Sequence, residues 1–124
     1  MKQTYATPHT HVREIDGIVV IKPHGNLMGG PETDEIEKLI GQFDAQAVRC
    51  LVVNLVDVGM MNSLAIGRLI SGHVRFKKRG ARMSLCNVDR KIQNVFVITK
   101  LAFEFNVYPG EEQAIADCAL GDDG

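Results

Sequence analysis

Hydrophobic positions along the chain switch repeatedly between short unbroken runs and a recurrence every three or four residues, a pattern that predicts strands interleaved with helices. The most informative switch lies in Cys50-Leu-Val-Val-Asn-Leu-Val-Asp-Val-Gly-Met-Met-Asn-Ser-Leu-Ala-Ile-Gly-Arg-Leu-Ile70. Its first residues form an apolar run of the kind found in strands buried on both faces. After Ser63 the spacing changes, and Ile66, Leu69, Ile70 and Val74 mark the inward face of a helix. Asn62 and Ser63 at the junction are small polar residues suited to capping the unpaired N–H groups of a first turn, and Ser63 is expected to supply a capping oxygen worth about 1 kcal/mol. A serine hydroxyl there stands at the positive end of the helix dipole, a favourable place for a phosphate.

The same patterning organises the rest of the chain. Residues 1–10 are polar and read as a flexible tail, and residues 121–124 as a frayed end. Asp16-Gly17 between residues 12–15 and 18–22 predicts a two-residue hairpin turn, since both positions tolerate positive φ. The uninterrupted Ile18-Val-Val-Ile21 places the second arm inside the sheet and the first toward an edge, with a loop over residues 23–30. Residues 31–46 predict a helix with Ile36, Leu39, Ile40 and Phe43 inward and Glu32, Asp34, Glu35 and Glu37 near its start, where negative charge is stabilising. Gly80 ends the helix that follows Ser63, and residues 82–87 supply the next strand, so that strand, helix and strand imply a right-handed parallel crossover. Asp89 caps a third helix reaching about residue 100, residues 105–108 form a short strand, and a last helix covers residues 111–119. The sum is an α/β fold in one domain over residues 11–120: a small mixed sheet of four to five strands with an N-terminal hairpin, parallel crossovers and about four packed helices.

Composition narrows the function classes. With 45% hydrophobic and 23% charged residues the chain is an ordinary globular domain, and 14 basic against 15 acidic side chains leave a net charge of -1. No overall cationic field draws it to nucleic acid or to anionic lipid. Arg68, Arg75 and Arg79, with Lys77, Lys78 and Arg82, form the one basic concentration; it reads as a solvated helix face or as a docking surface for an acidic partner. The odd cysteine count, Cys50, Cys86 and Cys118, points to buried free thiols in a reducing compartment, with no intramolecular disulfide. The N-terminal residues lack the apolar core of a signal peptide and no stretch is long enough to span a bilayer, so a cytoplasmic protein is expected. Phosphate-loop and dinucleotide motifs are absent, no histidine pairs with cysteine at metal-ligand spacing, and Ser63 lacks a nucleophile elbow. The expectation is therefore no enzyme, no catalytic residue, no cofactor and no metal.

Residues 52–76, followed by Gly80-Ala-Arg-Met-Ser-Leu-Cys-Asn-Val88 and Ile98-Thr-Lys-Leu101, resemble the STAS domain of anti-sigma factor antagonists. The resemblance runs from about residue 11 to residue 118. The family's central motif, aspartate, serine, serine or alanine, glycine, leucine, glycine, corresponds to Asn62, Ser63, Leu64, Ala65, Ile66 and Gly67, and the family's phosphorylated serine matches Ser63. Asn62 replaces the usual aspartate, and Leu64-Ala65 replace the small residue and glycine.

The resemblance implies a partner-switching regulator of signal transduction and transcription. It implies binding of an anti-sigma factor that is also a serine kinase, release on phosphorylation of Ser63, and restoration by a phosphatase. Asn62, Ser63, Leu64, Met60, Met61 and Arg68 are the expected partner-binding residues. Partners would be proteins, with no direct nucleic acid and no membrane, and the chain would be a monomer or weak homo-oligomer. The alternative is a scaffold module of a signalling assembly that is never phosphorylated and uses Met60, Met61 and Leu64 as a permanent contact.

Overall fold

The computed structural model describes residues 2–98 and 106–120. The C-terminal end of the third expected helix beyond Ile98, the start of the expected strand at Phe105 and the frayed end 121–124 lie outside the described residues. Among the described residues seven strands, β1 Lys2–Thr7, β2 Thr10–Ile15, β3 Ile18–Leu27, β4 Cys50–Asn54, β5 Asp57–Met61, β6 Arg82–Cys86 and β7 Asn106–Tyr108, build one mixed sheet. Four helices accompany it among the described residues: α1 Pro31–Ala45, α2 Ser63–Lys78, α3 Arg90–Ile98 and α4 Glu111–Leu120. The strand order is β1-β2-β3-β4-β6-β7, and β5 pairs with β3 off that path. Pairing is antiparallel through β1, β2 and β3, and parallel through β3, β4, β6 and β7.

The hairpin forms at Asp16-Gly17, both with positive φ, 51° and 84°, the pair of angles that matches a two-residue turn to the twist of its strands. Two strands exceed the four or five expected. In place of a loose tail, Lys2–Thr7 forms β1, registered from Lys2 against Ile15 to Thr7 against Thr10. This strand is polar and half exposed, held by its ladder and by Tyr5 packed against the core rather than by a buried face. β2 is consequently an inner strand. The loop expected over residues 23–30 begins only after Leu27, because β3 runs on through Pro23 and Gly25 to pair with β5. β4 pairs with residues 18–21 of β3 and β5 with residues 24–27, so β5 takes up the edge of β3 where β4 leaves it. The step between them is an Asn54 turn, whose Oδ1 accepts from the N–H of Val56 at 3.0 Å.

Two cores lie on opposite faces of the sheet. On one face Ile36, Leu39, Ile40 and Phe43 of α1 and Ala65, Ile66, Leu69 and Phe76 of α2 pack with Val19, Ile21, Leu51, Val53, Met83 and Leu85. Ile70 is only partly buried and Val74 is exposed; Gly72 and Phe76 take the inward positions instead. Gly72 is the point of closest helix approach, since a Cβ there would stand 2.7 Å from Cγ2 of Ile40 and 3.1 Å from Sδ of Met83. The methyl it meets belongs to a β-branched side chain with little rotamer freedom. Gly72→Val is therefore expected to cost about 2 kcal/mol through overpacking, net of a few tenths regained in helix propensity. A urea midpoint equal to wild type would show that α1 and α2 do not meet there.

The acidic side chains of α1 and the basic face of α2, expected as separate solvated surfaces, partly face each other, at Glu37 and at Asp44 in the last turn of α1. Arg68 pairs with Glu37, Arg75 with Asp44 at 3.3 Å, and Arg79 with Asp44 at 2.7 Å. Arg79 also donates to the carbonyl of Val48 and lies over the Phe76 ring. These arginines join two helices, which weakens their case as a free steering surface. Gly80, with φ 75°, ends α2 as expected: its N–H donates to Lys77, and that of Ala81 to Phe76.

On the other face α4 packs over β4, β6 and β7, with Val20, Val52 and Cys86 beneath Ala114. Here the expectation of three free thiols is overturned: Cys50 and Cys118 form a disulfide, their Cα atoms 6.1 Å apart, and Cys86 alone is free and buried. The last turns of α4 return over the start of β4, a contact between residues 68 apart in sequence that local pattern does not encode. Arg82 and Tyr108 both donate to Oδ2 of Asp117 and hold the same helix to the sheet.

Candidate functional site

Three segments converge on the start of α2. β3 ends at Leu27, which pairs with Met61 at the end of β5, and the Leu27 carbonyl accepts from the N–H of Asn62 at 3.1 Å. Asn62 is extended, with φ -105° and ψ 178°, and its Oδ1 accepts from the N–H of Ala65 at 3.1 Å. Its carbonyl accepts the first helical bond, from Ile66. Asn62 is thus the N-cap, and Ser63 occupies the first helical position, exposed. Among the described residues the Ser63 side chain makes no hydrogen bond. The two residues divide the labour, one closing the helix and the other presenting a hydroxyl.

That division has a measurable consequence. Asn62→Ala is expected to cost about 1 kcal/mol by removing the capping oxygen, whereas Ser63→Ala stays within about 0.5 kcal/mol of wild type. Thermal denaturation of both variants checks this, and equal losses would contradict the assignment of the cap.

Exposed apolar side chains occur on the segments that meet at the start of α2. Met28 is 48% exposed, Met60 53% and Leu64 46%. The loop carrying Met28 passes close beneath α2 because Gly29 has φ +89° and no side chain, and a Cβ there would lie 2.9 Å from Cδ2 of Leu64. Met61, expected beside Met60 on this surface, instead turns inward and is a core residue, 7% exposed. The bulge in the β3 and β5 register between Gly25 and Leu27 accompanies this. Arg68 is exposed beyond the first turn and bound to Glu37. Of the expected partner-binding residues, the structure therefore groups Asn62, Ser63, Leu64 and Met60, sets Arg68 in an ion pair, and removes Met61 to the interior. Met28 was not foreseen; a methionine inside a glycine-rich loop was the available signal.

A second polar cluster escaped sequence reasoning. Asn54, 4% exposed, donates to Oε2 of Glu111 and accepts from Asn87 at 3.0 Å, while Nη2 of Arg13 donates to Oε1 of Glu111 at 2.8 Å. Its one clue was a polar residue closing an apolar run. Burial, and next the Glu111 carboxylate, push the adjacent Cys86 thiol up to about 12, so it is held neutral and is no nucleophile. Burial and the hydrogen bond to Asp117 likewise raise Tyr108 to about 12. Among the described residues no group of three histidine, cysteine or carboxylate side chains is placed to hold a metal ion. None of their helices is long and apolar enough to cross a membrane.

The comparisons agree with this architecture. The family model for the STAS domain matches residues 9–114. No curated protein sequence matches the chain. Among solved structures, a putative anti-sigma factor antagonist from Thermotoga maritima superposes with a TM-score of 0.80 at 17% identity, over 87% of this chain and 92% of that one. An anti-sigma factor antagonist from Mycobacterium paratuberculosis gives 0.78 at 21% identity, over 93% and 99%. The Bacillus cell fate determinant SpoIIAA in its phosphorylated form gives 0.65 at 20% identity, over 94% and 97%. At these identities the structural likeness speaks for the fold. With the family model spanning most of the sequence, the chain belongs to the STAS domain family, in the fold of the anti-sigma factor antagonists.

Proposed function

We propose that this protein is an anti-sigma factor antagonist that works by partner switching. In this reading it binds an anti-sigma factor through the surface of Met28, Met60, Leu64 and Ser63, and phosphorylation of Ser63 by that partner's kinase activity releases it. A phosphatase then restores the binding form. The observation that carries the reading is the exposed Ser63 hydroxyl, left unused because Asn62 supplies the cap. A phosphate at the first helical position adds about -1.5 to -2 charge and three acceptor oxygens. It is welcome to the helix dipole and unwelcome in an apolar interface, so the fold persists while the complex fails. No catalytic role is assigned to the chain.

The second reading, a constitutive scaffold, draws on Leu64, a large exposed side chain where the family carries a small one. A kinase must approach the backbone past it. Incubation with the cognate kinase and ATP, read by intact mass, separates the two. The switch predicts one added phosphoryl group on wild type and none on Ser63→Ala; an unmodified wild type supports the scaffold.

A further inference from the structure

The sheet face opposite α1 and α2 is not evenly covered. α4 packs against β4, β6 and β7, and beside its first turn a pocket of about 220 Å³ opens onto β1, β2 and β3. Thr4, His11, Arg13, Val20, Lys22 and Glu111 line it. The two ladders explain the convergence: Thr4 faces Arg13, which faces Val20, and His11 faces Lys22, so all five strand residues point to one side of the sheet.

The charges in this pocket do not cancel. Both oxygens of Glu111 are engaged, Oε1 by Arg13 and Oε2 by Asn54. Arg13 gives that carboxylate one of its five N–H groups, and among the described residues the others find no acceptor. Lys22 has no ion-pair partner among the described residues. The His11 ring, 5.3 Å from that of His24 and tilted to it by 45°, edges the same space. A guanidinium, an ammonium and the Thr4 hydroxyl thus offer donors in excess of acceptors. The volume falls below the roughly 300–1,000 Å³ of sites for organic ligands, which suits a small ion.

We infer that this pocket binds a phosphate-class oxyanion, either the free ion or the phosphate end of a small monoester, held by charge-assisted hydrogen bonds from Arg13 and Lys22 and completed by Thr4 and His11. The site lies on the face of the sheet away from α2 and is independent of the Ser63 reading. It would bind whether or not Ser63 is phosphorylated.

The test is an NMR titration of the whole chain with sodium phosphate, with ionic strength held constant by sodium chloride, and a parallel titration with glycerol phosphate. Saturable shifts of the His11 ring and of the Lys22 and Arg13 amides are expected, weakened roughly tenfold in Lys22→Gln, a variant that removes no side-chain hydrogen bond or ion pair among the described residues. His11→Gln is expected to weaken binding less, and Ser63→Ala not at all. Tighter binding of glycerol phosphate identifies a monoester as the ligand, and equal binding identifies the free ion. Shifts that rise linearly without saturation, or that saturate alike in wild type and Lys22→Gln, overturn the proposal while leaving the Ser63 experiments unaffected.

Discussion

Reducing the Cys50–Cys118 bond is expected to lower the stability of the domain by about 4 kcal/mol. The bond closes a loop between residues 68 apart, and in the chain-entropy account a cross-link of that span restricts the unfolded chain by about 4 kcal/mol. Against the roughly 5–15 kcal/mol of an ordinary domain this is a large share. The folded form should nevertheless survive in outline, because Asp117 still binds Arg82 and Tyr108, and Glu111 still binds Arg13. Urea denaturation with and without dithiothreitol gives the difference directly, and Cys118→Ser should match the reduced wild type. Thiol titration in denaturant without reductant should find one free thiol, that of Cys86. Three thiols, and a midpoint indifferent to reductant, would contradict the bond.

Ser63→Asp is expected to weaken partner binding a hundredfold or more while leaving the fold at least as stable as wild type. The two effects separate because they act on different surroundings. Within the domain, a carboxylate at the first turn of α2 gains about 0.3–1 kcal/mol from the helix dipole, and Asn62 continues to cap. In the proposed interface the same carboxylate would be desolvated among Met28, Met60 and Leu64, which are exposed in the free chain; an unpaired buried charge costs on the order of 3–5 kcal/mol, a hundredfold or more in affinity. Calorimetric binding and thermal denaturation of the same preparation should therefore move in opposite directions. A loss of stability equal to the loss of affinity would mean that the substitution damages the fold.

How much of this was legible in the sequence depended on how local its cause was. The turn at Asp16-Gly17, the buried face of α1 and the glycine end of α2 follow from nearest neighbours and were read correctly. β5 was not read. Asp57-Val-Gly-Met-Met lacks strand alternation, and its partner is an extension of β3 through Pro23 and Gly25, residues that ordinarily break strands. Here the free edge of β3 outweighed local preference. The inward turn of Met61 follows from that pairing, which is why it was mistaken for a surface residue. The ion pairs of Arg68, Arg75 and Arg79 and the disulfide of Cys50 share one cause of illegibility, the docking of elements far apart in sequence. At the site itself the junction of strand and helix was visible, but the capping oxygen expected from Ser63 belongs to Asn62 instead, an error open to sequence reading because both side chains suit the role. Only the backbone geometry of Asn62 decides it.

The central claim is that one hydroxyl on α2 controls association, and it is tested most directly by comparing two forms of the same chain. The affinity of the cognate anti-sigma factor should be measured by calorimetry for the protein before and after stoichiometric phosphorylation of Ser63, with Ser63→Ala as the form that cannot be modified. The account predicts tight binding by the unmodified protein and by Ser63→Ala, and a loss of a hundredfold or more on phosphorylation. Equal affinity of the phosphorylated and unphosphorylated forms would contradict it.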